Sequence, residues 1–380
     1  MSMSAKSPGP DAVAEEIRRR ILTGGPIGFD EFMALALYHP ESGYYASETS
    51  RTGRRGDFFT SVSVGPVFGR LLAAQAAAVW DALGRPHDFT LVEQGANDGQ
   101  LMADVLSSLE RDHPECRPHA VLVEPLARLR KAQSRTLAAW SDRVSHVDRA
   151  SALPEFTGLF FANELLDAFP FKLLVRECGA WRERRVTVES GGGFCFVEVE
   201  TDIDAPVVES GPSRFLTEVV PGLAAWMRDL AGRLVRGQVL LIDYGHPADI
   251  RHAPARAAGS ASAYREHQRV DDLLEAPGAQ DLTAHVDFTA VARAGEQTGL
   301  SVAGFTDQYH ALASLAAAVF PPMAAIPPSG EDARELRGLR QLLHPESMGT
   351  SFKWLALQRG LDAPTPAFAL ARDPRRELFP

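Results

Sequence analysis

Cysteine is scarce in this chain. Only Cys116, Cys178 and Cys195 occur among 380 residues, and no two of them are closely spaced. A disulfide framework or a zinc knuckle needs closely spaced cysteines, so neither is indicated and a reducing compartment fits. An N-terminal secretory apolar core is also lacking, and acidic Glu15 and Glu16 argue against a transit peptide. We therefore expect a cytoplasmic protein without a metal site.

Positive charge is in deficit as well. The 39 Lys and Arg stand against 49 Asp and Glu, which gives a net charge of −10. Phosphate binding relies on clustered basic side chains, so a broad nucleic-acid partner is not expected. No uninterrupted apolar run is long enough to span a bilayer, because Pro321 and Pro322 interrupt the nearest one, residues 311–326. A membrane partner is therefore not expected either, and residues 311–326 are either core or the subunit contact of a homodimer.

What the chain does have is a regular alternation of apolar strands and amphipathic helices. Strands are predicted over 89–93, 119–124, 144–147, 158–162 and 237–245, with helices over 100–111 and 126–139 between the first three. Strands separated by helices of this length are typical of a parallel sheet with helices on both faces. The fold class is therefore α/β with a mostly parallel sheet.

The flanking segments predict additional structure around this core. Residues 171–200 predict antiparallel strands, residues 213–235 a helix, and residues 246–281 a long loop of the kind that is either functional or mobile. The expected domain organisation is an N-terminal helical region with a covering loop (1–85), a core (86–170 and 236–310), an inserted β-hairpin and helical lobe (171–235), and a C-terminal helical segment with a final strand (311–380).

Residues 93–99 read Glu-Gln-Gly-Ala-Asn-Asp-Gly and lie between a predicted strand and a predicted helix. This is the geometry that holds a nucleotide-like cofactor at the carboxyl end of a parallel strand. The dinucleotide fingerprint is absent, because Asn97 stands where that fingerprint has a small central residue. The spacing Glu-x-Gly-x-x-x-Gly instead indicates S-adenosylmethionine (SAM), whose amino-acid end can lie against bare backbone at Gly95 and Gly99.

Acidic residues follow the predicted strands at the edge where α/β sheets bind ligands: Glu93, Glu124 and Asp243. Glu124 is placed to accept both ribose hydroxyls of a nucleoside, and its alternative role is a charge at a helix N-terminus or a salt bridge in a loop. Asp148 is placed to face the adenine amine, and its alternative role is that of an ordinary loop residue.

Asn163, Glu164 and Asp167 follow another strand, where the methyl group would meet its acceptor. Two carboxylates there can hold a guanidinium and accept its proton, and the alternative is a helix cap with an acidic first turn. His267 and His285 are candidates for acid–base work or for structural hydrogen bonds, and neither has the spacing of a metal ligand. The segment Gly56–Ser61 is either a cover over the cofactor or a surface loop.

Taken together, these motifs resemble the MidA family of SAM-dependent methyltransferases. The resemblance runs from about Gly25 to Gln358. It is carried by residues 37–40, 43–45, 56–61, 68–69, 93–101, 163–170, 241–245, 264–267, 281–289 and 348–353. Each motif alone is weak, but their order is highly specific. The chain departs from the family at Asn97, where a glycine is usual, and at Val62 and Ser63, where a proline and an acid are usual.

The resemblance implies a Rossmann-like class I methyltransferase core with an N-terminal helical segment and an additional α+β lobe. It implies SAM as the cofactor and methylation of a protein arginine nitrogen. The expected cofactor contacts are Asp57, Thr60, Glu93, Gly95, Ala96, Asn97, Gly99, Glu124, Asp148 and Asn163. The expected catalytic residues are Asn163, Glu164, Asp167 and His267. Two alternatives stay open: an O- or N-methyltransferase of a small molecule, and a non-catalytic SAM-binding assembly factor.

Overall fold

The structure is a computed structural model that describes residues 10–46, 61–203, 212–266, 268–320, 330–344, 348–362 and 364–379. The helices are α1 (Pro10–Gly24), α2 (Phe29–Tyr38), α3 (Val67–Ala82), α4 (Gln100–Asp112), α5 (Ala127–Thr136), α6 (Leu223–Ala231), α7 (Ala248–Arg251), α8 (Phe288–Gln297), α9 (Gln308–Val319), α10 (Gly330–Leu343) and α11 (Pro374–Leu378).

The strands are β1 (Ile27–Gly28), β2 (Phe89–Gln94), β3 (His119–Val123), β4 (Val144–Val147), β5 (Phe156–Asn163), β6 (Lys172–Glu177), β7 (Ala180–Val188), β8 (Phe194–Glu200), β9 (Arg214–Val219), β10 (Leu234–His246), β11 (Ser262–Arg265), β12 (Gln268–Val270), β13 (Asp281–Thr283), β14 (Val286–Asp287), β15 (Ser301–Asp307) and β16 (Phe352–Arg359). Among the helices described, none is long and apolar enough to cross a membrane.

The chain divides into two compact units. The parallel unit is built from described residues within Thr60–Leu166, Leu223–Ala248 and Val286–Pro380. The antiparallel unit is built from those within Met1–Phe59, Asp167–Gly222 and Asp249–His285. The domain segments expected from the sequence divide the chain differently and stay a prediction, because each unit combines segments that lie far apart along the chain.

The parallel unit contains an eight-stranded sheet in the order β15-β16-β10-β5-β2-β3-β4, with β14 beside the end of β10. Strands β4, β3, β2, β5 and β10 are parallel, whereas β16 is antiparallel to both β10 and β15. The chain runs from β2 outward to β3 and β4, and then returns to β5 on the other side. The switch point of the sheet therefore lies between β2 and β5, where α/β folds of this kind bind their ligands.

Helix α3 contacts strand β5 of the sheet in the parallel unit, and it also packs against helices α4 and α9. Helix α3 buries Phe68, Leu71, Ala76 and Val79, which recur at helical spacing. Phe68 meets Trp354 of β16 edge to face at a centroid distance of 6.1 Å. Phe68, Leu71 and Val79 each contribute about 1.5–3 kcal/mol when fully buried, so this layer holds the strand ends at fixed positions.

The antiparallel unit contains a sheet in the order β1-β7-β6-β9, with β8 also paired to β7, and a second sheet in the order β12-β11-β13. Its core includes Phe29 and Phe32 of α2 and Phe171, all of which are fully buried. The ring centroids of Phe29 and Phe171 are 5.3 Å apart. Aromatic burial on α2 thus joins the N-terminal helices to the strands that follow residue 171.

Two expectations from the sequence are wrong in this unit. The helix expected over 213–235 is replaced at its start by β9, which pairs antiparallel with β6 and buries Phe215 and Thr217. The alternation of these buried residues has the period of a strand, and Pro221 precedes the helix that does form, α6. The long loop expected over 246–281 contains β11 and β12 and buries Ala263 completely. Its strands are too short to stand out as apolar runs.

Candidate functional site

The glycine loop lies at the switch point of the parallel unit, between the end of β2 and the start of α4. Gly95 and Gly99 have φ angles of +81° and +85°, and Asn97 between them has a φ of +47°. Glycine adopts this left-handed region without steric cost, and asparagine tolerates it better than most residues. The loop is therefore a run of tight turns with bare backbone at its two ends, and Ala96 is buried inside it.

Glu93, at the end of β2, is only 3% exposed. Burial raises the pKa of its carboxyl to about 8, and the negative charges of Asp98 and Asp104 add to the shift against a backbone hydrogen bond from Met102. Among the described residues, its Oε2 has no hydrogen-bond partner. The carboxyl is thus a buried acceptor that can take a donor from a ligand bound at the loop.

Glu124 directly follows β3 and is 4% exposed. Its Oε1 accepts the backbone N–H of Leu126 at 2.9 Å, and its Oε2 accepts Nε2 of Gln133 at 3.3 Å. Burial raises the pKa of this carboxyl, and these hydrogen bonds oppose the shift. Leu126 is the N-cap of α5, so the alternative role at a helix N-terminus is present too. A carboxylate has about four acceptor positions, which leaves capacity for a diol.

Gln133 of α5 belongs to this arrangement, and no sequence motif indicated it. It is fully buried and donates from Nε2 to the backbone oxygen of Asn97 at 2.9 Å as well as to Glu124. A faint signal exists in the sequence, because Gln133 occupies the buried face of α5 between Leu129 and Leu137 at intervals of four residues.

Asp148 lies on the loop after β4, and 64% of its side chain is exposed. Its carboxylate pairs with the guanidinium of Arg130 on α5. The adenine contact expected for Asp148 stays a prediction.

Asn163 ends β5, next to the glycine loop across the switch point. Its Nδ2 donates to Oε1 of Glu164 at 2.9 Å, and its buried Oδ1 has no partner among the described residues. Glu164 has a φ of +54°, and its backbone N–H donates to Ile242. The following residues, 165–171, form a turn and no helix, so the alternative of a helix cap is not realised.

Asp243 explains how this turn is held. It is 1% exposed at the end of β10, and its Oδ2 accepts the backbone N–H groups of Leu165 at 3.1 Å and Leu166 at 2.9 Å. Its Oδ1 accepts the N–H of Tyr244 at 2.9 Å. A left-handed glutamate costs roughly 1–2 kcal/mol, and the two charge-assisted hydrogen bonds to the turn outweigh that cost. The sequence predicts that Asp243 lies at the sheet edge, but it does not predict that Asp243 holds this turn.

The roles expected of the remaining catalytic and cofactor residues stay predictions. Asp167 belongs to the antiparallel unit, where it is 7% exposed and its backbone oxygen accepts the N–H of Ala284 at 3.0 Å. Asp57, Thr60 and His267 lie outside the described residues. In the described part of the chain, no group of His, Cys, Asp and Glu has the arrangement of a metal site.

The sheet order, the glycine loop at its switch point and the buried carboxylate after β3 together define a SAM-dependent methyltransferase of the Rossmann-like class. Residues 71–306 match a family of S-adenosyl-L-methionine-dependent methyltransferases. The chain therefore belongs to this family, the MidA family that its motifs resemble.

Proteins of known sequence and structure agree with this assignment. A Drosophila melanogaster protein is 30% identical over 93% of this chain and 86% of its own length, and a Homo sapiens protein is 26% identical over 93% and 86%. Both carry the name mitochondrial protein arginine methyltransferase NDUFAF7, the fly protein as its homologue. A Burkholderia thailandensis protein, solved with S-adenosyl-homocysteine bound, is 30% identical with a TM-score of 0.84 and covers 98% of this chain and 100% of its own.

These relatives confirm the fold class, the enzyme class and SAM as the cofactor. They contradict the expectation of a cytoplasmic protein, because the fly, mouse and human relatives are mitochondrial. The relatives support a methyl acceptor as a partner of this protein. The expectation of a homodimer stays a prediction.

Proposed function

We propose that this protein transfers a methyl group from SAM to a nitrogen of a protein arginine. The observation that carries the proposal is the carboxylate of Glu164 on a strained turn beside the cofactor loop. A Cβ built on Gly95 would lie 3.3 Å from Cδ1 of Leu165, so the turn and the loop are in contact. The names of the fly and human relatives support an arginine as the acceptor.

For the cofactor, we assign backbone contacts to the loop from Gly95 to Gly99 and the ribose hydroxyls to Glu124. The buried Oε2 of Glu93, which has no partner among the described residues, is assigned a donor on the amino-acid end of the cofactor. These residues fit SAM because the loop leaves bare backbone at Gly95 and because Glu93 and Glu124 are buried acceptors. When bound, SAM supplies a methyl group on a positively charged sulfur that leaves as a neutral thioether.

For the acceptor, the Glu164 carboxylate binds the guanidinium and orients one nitrogen toward the methyl group. Asn163 fixes that carboxylate through its hydrogen bond of 2.9 Å from Nδ2 to Oε1. The nitrogen lone pair forms the new N–C bond while the C–S bond breaks and its electron pair stays on sulfur. The methylated nitrogen then carries an additional proton, and the Glu164 carboxylate accepts it. Further roles for Asp167 and His267 stay predictions.

The test uses the purified full-length protein, methyl-labelled SAM, and an extract of cells that lack this gene. The protein fraction is hydrolysed, and labelled methylarginine is measured. We expect label in methylarginine, and we expect Glu164→Gln to lower its rate at least about 100-fold, the range of a lost proton acceptor. S-adenosylhomocysteine affinity, measured by calorimetry, stays unchanged in that variant.

Glu155→Gln is the matched control, because Glu155 is an exposed glutamate of the same unit. We expect Glu155→Gln to leave the rate of methylarginine formation unchanged. Label only in the small-molecule fraction would contradict the proposal in favour of a metabolite methyltransferase. Cofactor binding without any transfer would contradict it in favour of a non-catalytic assembly factor.

A further inference from the structure

We propose that Gln133 is a positioning residue that ties the glycine loop to the ribose carboxylate and so sets the affinity for the cofactor. The inference rests on the cofactor contacts assigned above to the glycine loop and Glu124, and it concerns no part of the acceptor. Nothing in the motifs of the chain assigns a role to Gln133.

The hydrogen-bond balance of its side chain supports this role. Nε2 carries two protons, and two acceptors face it: the Asn97 backbone oxygen at 2.9 Å and Glu124 Oε2 at 3.3 Å. Turning the amide over would bring its oxygen against both acceptors, so only one orientation is favourable. Oε1 is buried and has no partner among the described residues, a cost that the native fold tolerates.

Packing brings Gln133 against the loop a second time. A Cβ built on Gly99 would lie 3.3 Å from Cα of Gln133 and 3.4 Å from its Cγ. A side chain at residue 99 would therefore push helix α5 away from the loop by a few tenths of an ångström. The glutamine therefore contacts both the middle and the end of the loop while it holds Glu124 in the same hydrogen-bonded chain.

The consequence is preorganisation of the cofactor site. The Glu124 carboxylate is assigned the two ribose hydroxyls, and the glycine loop is assigned the other end of the same cofactor molecule. Both can bind at once only if the distance between carboxylate and loop is fixed. The amide group supplies that separation through two hydrogen bonds in a position from which water is excluded. Without it, the loop and the carboxylate relax independently, and the cofactor must order them on binding.

The test measures S-adenosylhomocysteine binding by calorimetry for the full-length protein and for Gln133→Met, which keeps the length and volume of the side chain but has no N–H donor. We expect binding about tenfold weaker. In a Glu124→Gln background the same change should weaken binding by about threefold or less, because part of its effect passes through Glu124. Hydrogen exchange of the cofactor-free protein should be faster at residues 97–101, with the melting temperature unchanged.

A second variant covers the case in which Gln133→Met fails to fold. Gln133→Glu places an acid against the two acceptors. Its affinity relative to the unaltered protein at the same pH should therefore be lowest at pH 8 and recover toward pH 5, where the acid can donate one proton; this ratio removes the titration of Glu93 that both proteins share. Equal affinity of Gln133→Met and the unaltered protein, or an equal loss in both backgrounds, would overturn the inference. A failure of arginine transfer with these binding results intact would overturn only the acceptor assignment.

Discussion

Replacing Glu93 by glutamine is expected to stabilise the cofactor-free protein, and to do so increasingly as the pH rises. The folded state raises the pKa of this carboxyl from 4.5 to about 8, mainly through burial. Between these two pH values the unfolded chain has lost the proton and the folded chain still holds it. The free energy of unfolding therefore falls as the pH rises through this window, and the loss is complete above the pKa of the folded state.

The magnitude follows from the two pKa values. A tenfold change in proton affinity corresponds to about 1.4 kcal/mol, so the interval from 4.5 to about 8 corresponds to roughly 5 kcal/mol, an upper value that relaxation of the site reduces. Glutamine cannot ionise and is nearly the same size, so Glu93→Gln lacks this slope. The other raised carboxyls, Asp104 and Glu124, are present in both proteins and largely cancel in the difference.

The assay is urea denaturation of both proteins without cofactor at several values between pH 5 and pH 8. We expect the two free energies of unfolding to be similar at pH 5 and to separate in favour of Glu93→Gln toward pH 8. Parallel pH profiles would refute the reasoning, because they would show that Glu93 ionises alike in the folded and unfolded chain. S-adenosylhomocysteine binding by the same variant should be weaker, which would locate the destabilising group in the cofactor site.

The remaining predictions concern the two turns at the switch point. Asp243→Asn should lower the free energy of unfolding by about 3 kcal/mol, because an amide has no charge and only one acceptor oxygen, so either the turn or the N–H of Tyr244 then faces an NH2 group. Denaturant titration measures the change, and Asp148→Asn on the exposed loop is the control. A change below about 0.5 kcal/mol would contradict the role of Asp243 in holding the turn. Gly95→Val should weaken S-adenosylhomocysteine binding in calorimetry by at least about 100-fold, because a β-branched residue is strained at a φ of +81° and meets Leu165. Gly84→Val carries the same strain at +85° but has open space around it, so equal losses in both variants would argue against a local effect on the cofactor site.

Much of the core could be predicted because its signals are local. The strands and helices from β2 to β5 follow the period of apolar residues, and each predicted element of this stretch is present. The places of Glu93, Glu124 and Asp243 follow from the fact that parallel strands end at one edge. The helix predicted for residues 214–219 was wrong because the signal there is not local. These residues form β9, which pairs with β6, a strand that lies far away in the sequence, and this pairing decided their conformation.

The sequence by itself determined the glycine loop, because Gly95 and Gly99 are needed where the backbone turns left-handed, and that requirement belongs to the residues themselves. It also determined the family, since the order of many short motifs is specific. The tertiary structure alone decided that Gln133 joins Asn97 to Glu124, that Asp243 holds the turn at Glu164, that the pKa of Glu93 is raised, and that Asp167 belongs to a different unit from Glu164. Each of these depends on burial and on hydrogen bonds between distant segments, and such contacts exist only once the chain has folded.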